Sequence, residues 1–205
     1  MVSPLSIFSG CAPGRRSGGI TGKGLGSYCS IVLLTLCFCD LAAAQASREY
    51  QIKAVLLLNL TRFVNWPDTA FAAPDSPIVI GIVGRDPFGG ALDEVVKGEQ
   101  VNGRSIVVER YPTAQQIKPC QILFVSRSEK EHIKQILARA QYRPVLTVSE
   151  MEGFAEPGGG MVRLYVNEQK RVRLQVNLQA VQEHDLKLSA KLLQVAEVTR
   201  GRPIP

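Results

Sequence analysis

Apolar residues in this chain follow two rhythms that alternate along its length. Between Arg48 and Asn65, Ile52, Val55, Leu56, Leu60, Phe63 and Val64 fall on or near one helical face, and Leu57 and Leu58 widen it. The spacing predicts a largely buried helix over 48–65. Trp66-Pro67 ends it, because the residue before a proline avoids the helical region. A polar linker, Asp68 to Pro77, leads into Ile78-Val-Ile-Gly-Ile-Val83, a continuous apolar run of the kind found in strands buried on both faces. Asp86 is then expected to cap a helix running to Lys97, with Pro87 at its first position and Gly98 as its stop.

The alternation continues. Ser105–Glu109 and Gln121–Val125 read as strands, and Ser128 to Glu131 reads as a capping box for a helix over 129–141. Pro144–Val148 is a further strand, followed by a glycine-rich connection, 153–160, into Met161–Val166. Asn167-Glu-Gln-Lys170 reads as a hairpin turn into Arg171–Asn177, and both arms alternate apolar with charged residues, as an antiparallel pair with one wetter face does. Asn177 caps a helix over 178–184, Leu186–Leu188 reads as a short strand, and Ser189 starts a last helix through Val198 that buries Leu192, Leu193 and Ala196. Strands alternating with helices predict an α/β fold, a three-layer αβα sandwich on a mainly parallel sheet with a C-terminal antiparallel hairpin.

The residues before this domain change the picture. Ser30–Cys39 is apolar for about ten residues, too short for a bilayer, which needs roughly 20. It is followed at once by Ala42-Ala-Ala-Gln-Ala46 and preceded by Arg15, Arg16 and Lys23. That is the layout of a cleavable signal peptide over 1–44, cut near Ala44, with one domain over 45–205. Export to the periplasm follows. Without Arg15, Arg16, Lys23 and Asp40 the remainder holds 21 basic and 17 acidic residues, a mild net charge of +4. The basic residues are scattered and have no aromatic platform among them, which argues against nucleic-acid binding.

Little catalytic chemistry is legible. Cys11, Cys29, Cys37 and Cys39 leave with the leader, so Cys120 stands alone and no intrachain disulfide is expected. No Cys/His cluster suits a metal, and no cofactor is expected. His132 and His184 have no neighbouring nucleophile and read as surface residues, and the pairs Asp93-Glu94 and Glu129-x-Glu131 fit ordinary helix faces. The Gly81–Gly90 segment sits where a phosphate loop would, but lacks the G-x-G-x-x-G spacing and puts the Asp86 carboxylate where a phosphate should lie. Gly158–Gly160 reads as a flexible connection rather than an anion loop. Arg171 and Arg173 share a face of the ribbon, and Arg163 joins them in a basic patch that either stays solvated or meets an acidic ligand or partner. The residues alone favour binding over catalysis.

Taken in order, a set of motifs resembles the YfiR-like family of periplasmic regulatory proteins. They are Tyr50-Gln-Ile-Lys-Ala54, Asn59, Phe63-Val64, Trp66-Pro67, Asp86-Pro-Phe-Gly89, Leu92, Val101-Asn-Gly-Arg104, Cys120-Gln-Ile-Leu-Phe124 and Ser126–Glu129. Later come Pro144–Ser149, Gly153-Phe-Ala155, Gly159-Gly-Met161, Arg171-Val-Arg173, Asn177-Leu178 and Leu188–Leu193. The resemblance implies a non-enzymatic regulator that represses an inner-membrane diguanylate cyclase through the cyclase's periplasmic sensor domain, lowering cyclic-di-GMP signalling. It also implies a small aromatic or nucleotide-like ligand near Lys187 and Ser189. Some relatives join the strand before Asp-Pro-Phe-Gly to the Cys-x-Ile-Leu-Phe strand by a disulfide; here the first partner position is Gly81. A second pair would fall at Ala155 and Val162. The alternative reading is a periplasmic small-ligand-binding receptor, and pairing of the amphipathic terminal helices in a homodimer is compatible with the pattern.

Overall fold

The apolar run at 78–83 becomes the organising strand of the molecule. A computed structural model describes residue 45 and residues 47–199, apart from 142 and 158. The expected leader, Ala44 and the four cysteines before it lie outside these residues. A helix over 47–63 (α1) runs directly into a two-residue strand, Val64–Asn65 (β1). Then follow β2 (Ile78–Val83), α2 (Gly90–Val96), β3 (Gln100–Val101), β4 (Arg104–Tyr111), β5 (Ile122–Val125), α3 (Ile133–Ala140) and β6 (Leu146–Ser149). The chain closes with β7 (Val162–Val166), β8 (Val172–Asn177), α4 (Leu178–Glu183), β9 (Lys187–Leu188), α5 (Ala190–Val195) and β10 (Glu197–Thr199).

The main sheet has the order β10-β8-β7-β6-β5-β2-β4-β3. β4, β2, β5, β6 and β7 run parallel, with Ile80 facing Val108 on one side and Ile122 on the other. β7 and β8 form the expected antiparallel hairpin, in register Leu164 with Leu174. Because successive side chains of a strand point to opposite faces, two cores form. Ile78, Ile80 and Ile82 pack with Phe124, Leu146 and Val148 under α1 and α2, whereas Val83, Leu123 and Val125 pack on Ile136 of α3. This is the three-layer α/β sandwich that the alternation predicts.

Several local expectations are corrected. α1 buries Ala54, Leu57, Leu58, Leu60 and Thr61 together with Lys53, while Ile52 and Val55 remain exposed. Asp86 is not a helix cap: its Oδ1 accepts the Phe88 N–H in a local turn, and α2 starts only after Gly89. Nor does Ser128 begin a capping box. Ser126 caps a 3-10 segment, Arg127–His132, and α3 follows it. The last helix stops at Val195 because Glu197–Thr199 leaves it to pair in parallel with β8. Leu192 is buried as expected, but Leu193 and Ala196 are half-buried. β9 pairs with β1 rather than with the main sheet, Val64 opposite Leu188.

Candidate functional site

The carboxyl ends of β5 and β6 gather an ionic cluster that sequence spacing did not reveal. Glu150 follows β6 directly, Arg127 follows β5 by one residue, and Tyr50 and Lys53 project from successive turns of α1. The Glu150 carboxylate accepts from the Lys53 ammonium and from the Tyr50 hydroxyl at 3.1 Å, and forms an ion pair with Arg127, whose Nε lies 2.9 Å away. Lys53 also pairs with Glu49 at 2.5 Å and lies 4.8 Å from the Tyr50 ring centre. Lys53 is 1% exposed and Glu150 4%. Charges so deep persist only when each is matched and hydrogen-bonded. Burial and the adjoining Glu150 push the Tyr50 hydroxyl up to about 12. With two donors and the Arg127 ion pair upon it, Glu150 ties α1 to the sheet and is poorly placed to take a proton from a substrate.

A cleft of about 600 Å³ opens beside this cluster, between α3 and the segment 150–160. Its apolar floor includes Ile133, Leu137, Met151 and Phe154, and Lys130, Lys134 and Arg163 add cations along its walls. The loop lies flush on the floor: a side chain at Gly160 would place its Cβ 2.2 Å from the Phe154 ring. Arg163 Nε is buried and finds no acceptor among the described residues, and Oε1 of Gln175, its partner across the β7–β8 ladder, finds no donor among them.

The sequence-predicted residues divide into two groups. Arg163 and Arg173 share a face of the hairpin, where Arg173 lies opposite Tyr165 and the Arg163 guanidinium sits 5.0 Å from the Tyr165 ring centre. The Tyr165 hydroxyl donates to Glu197 Oε2 at 2.7 Å, which raises its pKa. Arg171 lies just before β8 and is exposed. Lys187 and Ser189 belong instead to the small β1–β9 sheet and its exit. Lys187 is exposed opposite Asn65; Ser189 caps α5 through its Oγ and donates its N–H to the Phe63 carbonyl at 2.8 Å. Sequence reasoning missed Tyr50, Lys53, Arg127 and Glu150. The one local signal was a lysine on the face of α1 that also carries Leu57 and Leu60.

The other candidates have plain structural roles. After β2, the Arg85 N–H donates to Ser128 Oγ at 2.9 Å, and Asp86 binds Arg110 Nε at 2.7 Å, so the loop's polar groups are engaged within the chain. Asp93 joins them at 2.5 Å from Arg110 Nη2, and that guanidinium lowers its carboxyl pKa. Cys120 is buried, and burial pushes its thiol up to about 12. A Cβ built at Gly81 would lie 3.3 Å from Cys120 Sγ, so the partner position implied by the resemblance does adjoin it. His132 is largely exposed 3.4 Å from Glu129, whereas His184 is half-buried with Nδ1 2.8 Å from the Ala180 carbonyl. Among the described residues no group of three His, Cys, Asp or Glu side chains suits a metal, and no helix is long and apolar enough to cross a membrane.

The curated proteins contain no match to this chain. A family model described as YfiR/HmsC-like matches residues 50–197.

Proposed function

This chain belongs to the YfiR/HmsC-like family, and from that premise we propose that it represses an inner-membrane diguanylate cyclase by binding the cyclase's periplasmic sensor domain. The family consists of periplasmic regulators of diguanylate cyclases, and its role is regulatory rather than catalytic. The observation that carries the reading is the extent of the match, which runs from α1 to the first residue of β10. Export through a signal peptide over 1–44, leaving one domain over 45–205, belongs to the same proposal.

The hairpin supplies the surface. Arg171 and Arg173 are exposed and Arg163 is half-buried beside them, a cationic strip suited to an acidic patch on the sensor domain. Charge complementarity of this kind raises association rate and selects partners. Lys187 and Ser189 remain the proposed small-ligand positions; Ser189 Oγ already accepts the Leu192 N–H at 3.3 Å, which leaves the exposed Lys187 as the group to meet a ligand there.

Pull-down from detergent-solubilised membranes, paired with cyclic-di-GMP measurement in a deletion strain, tests the proposal. Capture of a membrane diguanylate cyclase and a rise in cyclic-di-GMP on deletion are expected, with weaker capture by the Arg171→Glu/Arg173→Glu variant. Unchanged cyclic-di-GMP together with no captured membrane signalling protein overturns it. Tight small-ligand binding without any captured partner would favour the receptor reading instead.

A further inference from the structure

We infer that the cleft between α3 and the 150–160 loop binds a small carboxylate that carries an apolar tail. The charge balance sets the sign of the ligand. Of the two carboxylates on the lining, Glu150 is matched by Lys53 and Arg127, which leaves Lys130, Lys134 and Arg163 facing Glu152. One of the lining cations, Arg163, also carries a donor that finds no acceptor among the described residues. Arg163 Nε is shielded from solvent and has no partner among the described residues, and a buried polar group in that state costs free energy that an acceptor would relieve. A carboxylate is the natural acceptor for a guanidinium edge, because it takes two parallel N–H donors.

The floor sets the rest of the ligand. Ile133, Leu137, Met151 and Phe154 offer an apolar surface that an inorganic anion cannot cover. A cleft of about 600 Å³ lies within the usual range for small-molecule sites, roughly 300–1,000 Å³. Gly159 and Gly160 let the loop pack down on Phe154 at the cleft's edge, since a Cβ at either would lie within 2.5 Å of Phe154 atoms. The cleft stands apart from Lys187 and Ser189, and its occupancy does not depend on which membrane protein the chain regulates.

Isothermal titration of the full mature protein with octanoate and with 3-phenylpropionate tests this, with octylamine and inorganic phosphate as controls. Saturable binding of both carboxylates is expected, with dissociation constants of roughly 0.1–1 mM for ligands of this size. Octylamine and phosphate should bind at least about tenfold more weakly, since each lacks one half of the recognition. Arg163→Ala should weaken octanoate by about tenfold or more, consistent with loss of a charge-assisted bond. Lys134→Glu, on an exposed helix position, serves as the second variant and should weaken it several-fold whether or not Arg163→Ala folds. Absence of saturable octanoate binding, equal binding of octylamine, or an unchanged affinity in Lys134→Glu together with a folded Arg163→Ala overturns the assignment.

Discussion

Replacing Lys53 by methionine asks whether the ionic cluster holds the molecule together. The side chain keeps its unbranched length, so the volume change is small, and the perturbation is almost wholly electrostatic. Lys53 is 1% exposed and its partner Glu150 4%. Removing one member of so buried a pair strands the other, at a cost of about 3–5 kcal/mol. After the substitution Glu150 still accepts from the Tyr50 hydroxyl and keeps its ion pair with Arg127, which places the loss at the lower end, about 3 kcal/mol. Glu150→Met is expected to cost a similar ~3 kcal/mol, because Lys53 then keeps only Glu49. The double variant removes both charges and should lose no more than about 3 kcal/mol in all, well below the sum of the singles. Urea unfolding followed by fluorescence is the assay, since Trp66 is the single tryptophan and its Nε1 bonds the Gln121 carbonyl at 3.1 Å. A loss of ~3 kcal/mol corresponds to a fall of about 6–12 °C in Tm for a domain of this size. If Lys53→Met costs under about 1 kcal/mol, the value of a solvated pair, or if the two single losses add, the reasoning is refuted.

Further outcomes follow from the same structure. Cys120 should react with iodoacetamide far more slowly in the native protein than in urea, because its thiol is buried and pushed up to about 12; matching rates would show an accessible thiol. Since the folded pKa is the higher one, the thiol's stabilisation is intact below pH 9.0 and is lost as pH climbs toward about 12, so Cys120→Ala should flatten that part of the alkaline unfolding curve. Arg110→Ala should cost about 1 kcal/mol at pH 7, given its 39% exposure and the solvent screening that goes with it. Asp93 has its carboxyl pKa lowered from 3.8 by Arg110, so its share of that cost is present above pH 3.8 and lost as the pH falls below it; urea unfolding at pH 7 and pH 2 should show variant and wild type converging. Gly160→Ala should cost about 1–3 kcal/mol, because its Cβ would strike the buried Phe154 ring; an unchanged Tm in differential scanning fluorimetry would show that the loop yields freely.

The parts of this fold that sequence could reveal are those whose reason is local. The 78–83 strand declares itself because burial on both faces demands an unbroken apolar run, and the hairpin declares itself because one wet face demands alternation. Asn177 and Ser189 cap their helices as read, since each accepts an N–H three residues on. Asp86 and Ser128 carry the same local signal but spend it differently: a carboxylate or hydroxyl that can cap a helix can equally close a turn or receive the Arg85 N–H, and only the neighbouring loop decides. The buried face of α1 was misjudged for a longer-range reason. Lys53 turns inward to meet Glu150, 97 positions away, so the helix rotates its hydrophobic exposure onto Ile52 and Val55. β10 has three residues and no period of its own, and exists only because β8 offers it an edge.

The position of the cleft follows from topology. A parallel strand can be followed by another parallel strand only through a crossover, and that crossover ordinarily lays a helix over the sheet. β5 to β6 obeys this through α3. β6 to β7 runs through 150–161, whose described residues form turns and bends and no helix. The strip of sheet beside α3 is therefore covered by loop alone, and Phe154 from that loop joins Ile136 and Val125 in the smaller core. The loop stays low because Gly159 and Gly160 have no side chains to lift it from Phe154. Arg163, one residue into β7, then emerges at the margin of the cover with its Nε already out of water. The glycines that read in sequence as a flexible connection are, in the fold, what lets the loop lie close on Phe154 beside the half-buried Arg163.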